Sequence, residues 1–134
     1  MMSFTDVNWL AVVLAAVVNM VVGFLWYGPL FGERWLKMIG KTADEIDDDP
    51  TMYVITTLTA LITAYSLAVL IGASGASGFA SGALIGLFVW VGIGATGTLV
   101  YTTFEGPPRD VWRLHALYQA TVFIISGAIL AVWA

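Results

Sequence analysis

The 134-residue chain has no cysteine, which excludes disulfides, thiolate metal centres and cysteine nucleophiles at once. Basic residues are scarce, and all five of them, Arg34, Lys37, Lys41, Arg109 and Arg113, fall in two short segments. Charged residues of both signs make up 10% of the chain, against about 25% in an ordinary globular domain. Histidine occurs once, at His115. One histidine without neighbouring ligands is too little for a metal site, and neither a base-supported nucleophile nor a pair of inward carboxylates can be assembled. The chain is therefore expected to hold no metal or cofactor, to have no nucleic-acid partner, and not to be an enzyme.

Apolar residues, in contrast, make up 60% of the chain, and the mean hydropathy is +0.90. Four uncharged apolar runs, at about 7–27, 51–72, 78–104 and 111–133, are each long enough to cross a bilayer as a helix. The fold class this predicts is all-α: one four-helix transmembrane domain spanning residues 1–134. The first run is too long for the core of a signal peptide and follows Asp6 instead of cations, so it is expected to be retained. Lys and Arg beside helix ends stay on the cytoplasmic face. With all five on one side, both termini lie outside, loops 31–50 and 105–110 are cytoplasmic, and the 74–77 link is outside. The formal net charge of −4 comes largely from the acids at 44–49, read as a solvated connector.

Trp26-Tyr27-Gly28-Pro29 ends the first span with an aromatic pair at headgroup depth and a helix stop. Residues 31–40 then mix Phe31, Trp35, Leu36, Met38 and Ile39 with Arg34 and Lys37, the composition of a short helix lying in the interface. Thr42 and Glu45 have capping-box spacing. Gly40-Lys41-Thr42 is not a phosphate loop, because Trp35 stands where that motif needs its first glycine.

The third run is the richest in glycine. Gly78, Gly82 and Gly86 recur every four residues, a face on which helix backbones can touch in lipid. The contact can serve the monomer or a homo-oligomer, and it marks this helix as the central one. Gly92, Gly94 and Gly97 follow, with the composition of an unwound segment.

Intramembrane polar side chains point to function because each needs a partner away from lipid. Asn8 and Asn19 share a face of the first helix with Gly23 and Trp26. Thr56, Thr59, Thr63 and Ser66 form a stripe on the second, Thr98 and Tyr101 lie on the third, and His115 and Gln119 are one turn apart on the fourth. Glu105, at the cytoplasmic end of the third run, is within reach of His115, and a pair of the two would make a pH-responsive element. Asn8, Asn19, Thr56, Thr63, Thr98, Tyr101, Glu105, His115 and Gln119 are the candidate polar interior.

Phe104-Glu105-Gly106-Pro107 echoes Trp26-Tyr27-Gly28-Pro29, as two like-oriented hairpins would. At Asn8-Trp9, Gly23, Trp26-Tyr27, Pro29-Leu30, Phe31-Gly32 and Trp35 the chain resembles a family of small bacterial membrane proteins, domain of unknown function 1761, along nearly its whole length. The resemblance implies four spans in the bacterial inner membrane and brings no activity with it. It also marks two departures, Gly28 where the family often has serine and Gln119 where it often has histidine. Two functions stay open. One is a structural or accessory protein, self-associating or joined to a partner membrane protein. The other is a small oligomeric transporter or channel with a polar interior, its ligand unknown. The five-to-zero charge bias argues against dual-topology antiparallel dimers.

Overall fold

The computed structural model describes residues 4–42, 44, 50–104 and 108–133. Helix α1 (Trp9–Leu25) runs through a wide π turn (Trp26–Leu30) into the short α2 (Gly32–Ile39). Next come α3 (Pro50–Ser74), α4 (Phe79–Val89), a π segment (Trp90–Ala95), α5 (Thr96–Phe104) and α6 (Arg109–Val132). The described residues contain no strand. Four helical stretches, Trp9–Leu30, Pro50–Ser74, Phe79–Phe104 and Arg109–Val132, are long and apolar enough to span a bilayer, and the chain is a multi-pass membrane protein.

Local chemistry sets the boundaries. Asn8 caps α1 by accepting from the Ala11 amide at 3.2 Å. Pro50 opens α3, where a missing N–H costs nothing. Left-handed Gly40 (φ 69°) closes α2, and left-handed Gly75 (φ 76°) follows the end of α3. On α2, Glu33, Arg34 and Lys37 face outward while Trp35, Leu36, Met38 and Ile39 are half-buried, the division of an interfacial helix. The capping-box position 45 and acidic positions 45–49 lie outside the described residues, as does the second half of the echoed motif at 105–107.

The central helix is α6, which packs against every other helix; 39% of its most apolar window is buried, against 6% for the third span. This corrects the expectation drawn from the glycines. A glycine face permits one close contact, but the rest of the third span, including Phe79, Leu84, Phe88, Ile93 and Phe104, faces outward. That one contact is intimate. A Cβ at Gly82 would run into the Gly127 carbonyl of α6, and a Cβ at Gly86 into the Phe123 carbonyl. Gly78 takes no part, because it only precedes α4 and a Cβ there meets nothing nearer than Ser81 Oγ at 3.9 Å.

The bundle has two unlike halves. Away from the cations, Ala11, Val12, Ala15 and Ala16 of α1 interlock with Ala60, Ala64, Leu67 and Ile71 of α3 and with Leu130 and Ala131 of α6 in one buried core. Small side chains bring the helices close enough for dispersion contacts to hold them in lipid. Trp9 stacks on Tyr65 (5.5 Å, 7°), whose hydroxyl donates to the Phe4 carbonyl. Towards the cationic end these small residues give out, and α5 leans on α6.

Candidate functional site

A cavity of about 960 Å³ opens between α1, α3, α5 and α6 at the end carrying Arg34, Lys37, Arg109 and Arg113. Met20, Val21, Phe24 and Leu25 of α1 and Met52, Tyr53 and Thr56 of α3 form one wall. Thr98, Tyr101 and Thr102 of α5 and Val111, Trp112, His115 and Tyr118 of α6 form the other. Tyr27 and Trp35 complete it, and among the described residues no charged side chain lines it.

The π turn is what aims the aromatic pair. Pro29 has no N–H to give, Gly28 leaves helical geometry (φ −112°, ψ −106°), and the Phe31 amide reaches back five residues to the Trp26 carbonyl at 2.9 Å. Trp26 Nε1 then donates to the Leu114 carbonyl at 3.2 Å, and Tyr27 Oη lies 3.0 Å from His115 Nδ1. Trp35 of α2 meets Tyr27 edge-on at 5.1 Å, so the interfacial helix supplies part of the cavity wall. One turn deeper, the Tyr118 hydroxyl donates to Asn19 Oδ1 at 2.8 Å, and Gly23 leaves room for it, since a Cβ there would lie 2.9 Å from that hydroxyl.

On the opposite wall Trp112 Nε1 donates to Thr98 Oγ1 at 2.9 Å and ties α5 to α6. The third span widens at Trp90–Ala95 without unwinding. The Thr96 hydroxyl donates to the Gly92 carbonyl and that of Thr98 to the Gly94 carbonyl, both at 2.9 Å, as backbone groups in lipid require.

The sequence-predicted polar residues are therefore split. Thr56, Thr98, Tyr101 and His115 line the cavity, and Asn19 supports Tyr118 from behind. Asn8 lies at the other end, where its Nδ2 donates to the Trp133 carbonyl at 2.7 Å. Of the α3 stripe, Thr59, Thr63 and Ser66 do not reach the cavity: Thr56, Thr59 and Ser66 donate to the carbonyls of Met52, Thr56 and Ile62 on their own helix, and Thr63 is half-buried. Gln119 Oε1 and Trp90 Nε1 are buried beside Gly94 without a partner among the described residues. Glu105 lies outside the described residues, and the neighbour found for His115 is Tyr27. Among the described residues no three His, Cys, Asp or Glu side chains gather in a metal-binding cluster. In the sequence Tyr27 reads as a headgroup-depth aromatic and Trp112 carries no site role; the missed signal was that Tyr27, His115 and Trp112 all sit within two turns of a cationic loop.

The family described as protein of unknown function (DUF1761) matches the chain over residues 10–131. The chain belongs to this family. The match takes in all four spans almost entirely, together with every residue of the cavity wall. No curated protein and no solved structure matches the chain.

Proposed function

We propose that this DUF1761 protein is a non-enzymatic, lipophile-binding protein that holds one largely apolar molecule in the cavity at its cationic end. The carrying observation is the cavity itself. At about 960 Å³ it lies at the upper end of the roughly 300–1,000 Å³ usual for ligand sites, and its apolar walls carry a few fixed polar groups. The five cations at this end support a cytoplasmic orientation for it in a bacterial inner membrane, with both termini outside. A channel gains no such support, because the far half of the bundle is closed by alanines and the α3 hydroxyls turn back on their own helix.

The test is quenching of the wall residues Trp35 and Trp112 in detergent by dibromostearyl alcohol. Saturable quenching at one probe per chain is expected, with loss of saturation in the cavity-filling variant Thr102→Phe/Val111→Phe at an unchanged melting temperature. Equal quenching of the wild type and the filled variant would sink the reading.

A second reading, packing against a partner membrane protein or a second copy, is favoured by the outward face of the third span, where Phe79, Phe88 and Phe104 are 70%, 79% and 81% exposed. Detergent-corrected light scattering decides it: a homo-oligomer or a reproducible foreign subunit supports the reading, and a single chain alone removes it.

A further inference from the structure

The Tyr27–His115 pair narrows the chemistry of the ligand. Tyr27 Oη and His115 Nδ1 are 3.0 Å apart, which requires one hydrogen between them, and its position fixes everything else about the pair. If the tyrosine donates, Nε2 of the neutral imidazole carries the ring hydrogen and the tyrosine oxygen keeps a free lone pair. If Nδ1 donates, Nε2 becomes the acceptor and the tyrosine hydroxyl is free to donate. Either way the pair offers one donor and one acceptor beyond itself, and a shift of tautomer exchanges their places. Nε2 has no partner among the described residues, and both side chains line the cavity.

Of the other polar groups at this depth of the wall, Thr98, Thr56 and Tyr118 are already engaged, while Tyr101 and Thr102 stand on the α5 side, away from the pair. Thr98 accepts from Trp112 and donates to the Gly94 carbonyl, Thr56 donates to the Met52 carbonyl, and the Tyr118 proton goes to Asn19. Among the described residues no charged side chain lines the space, and an ionic head group buried there would lose its hydration without gaining a counter-ion from them. We infer that the ligand is an uncharged lipophile whose hydroxyl or carbonyl head docks on the Tyr27–His115 pair while its apolar body lies between α1, α3 and α5. This inference rests on the lipophile-binding reading above and adds the class of head group to it.

The experiment compares four probes with the same brominated chain by tryptophan quenching in detergent: dibromostearyl alcohol, dibromostearyl sulfate, dibromostearyl trimethylammonium and the headless dibromo-octadecane. The alcohol should bind most tightly. The Tyr27→Phe/His115→Phe variant, which keeps both aromatic bodies and removes the pair's polar atoms, should weaken alcohol binding by about tenfold, the order expected for lost hydrogen bonds, and leave dibromo-octadecane unchanged. Tightest binding of the sulfate or the trimethylammonium probe would overturn the assignment. So would alcohol and alkane binding equally to the wild type, or an undiminished alcohol preference in the variant; in those two cases the lipophile site itself would stand. Failure of all four probes to bind would remove the lipophile-binding reading and this inference with it. The wild-type comparison decides the head-group class even if the variant does not fold.

Discussion

Asn19 and Gln119 are both amides on helices that meet, yet their side-chain oxygens fare oppositely. Asn19 Oδ1 accepts from Tyr118 at 2.8 Å, whereas Gln119 Oε1 is buried without a partner among the described residues. Asn19→Leu should therefore lower the melting temperature in detergent, by a bond worth about 0.6–2 kcal/mol in membranes. Gln119→Leu removes an unsatisfied acceptor and should leave the melting temperature unchanged or raise it. Calorimetry on both variants checks the contrast, and equal losses would refute it. The face shared by Asn19, Gly23 and Trp26 is legible in the sequence, because helical period alone decides it. The partner on α6 is not legible, because period says which way a side chain points and nothing about which helix stands there. His115 shows the same limit: the π turn brings Tyr27 to it across 88 positions of sequence, a contact that helical period does not announce.

At the scale of elements, the four spans are legible from uncharged length alone, and their observed bounds differ from the apolar runs by three residues or fewer. The packing order is not, because glycine frequency records how closely two backbones approach at one place and not how many neighbours a helix has. The α4–α6 seam gives the sharpest test. Gly86→Leu puts a side chain into the Phe123 carbonyl of a neighbouring backbone that cannot swing aside. The expected loss is about 3 kcal/mol or more, at or beyond the upper end for overpacked cores, seen as a collapse of the melting transition. Gly92→Leu, where a Cβ meets nothing within 4 Å, should melt near the wild type. Similar melting of both variants would remove the seam from the account. The two π segments escape sequence reading for a physical reason. Each depends on where a lost or diverted backbone bond is made good, by a Phe31 amide in one and by the Thr96 and Thr98 hydroxyls in the other.

Across the whole molecule the two ends of the bundle do different work. Small residues four apart, at Ala11/Ala15, Ala60/Ala64, Gly82/Gly86 and Gly127/Ala131, all lie towards the end away from the cations and close it. At the cationic end Met, Phe, Trp and Tyr take their place and hold α1, α3 and α5 apart around a cavity. Mean hydropathy is blind to this division, since alanine and methionine both count as apolar; side-chain size, read span by span, would have revealed it. The most direct test of the account is a crystal structure of the protein grown with dibromostearyl alcohol, with the bromines located by their anomalous scattering. Bromine density is expected between Phe24, Met52 and Thr102, inside the cavity and at one probe per chain. Bromine found only along the outer face of the third span, or nowhere on the protein, would contradict it.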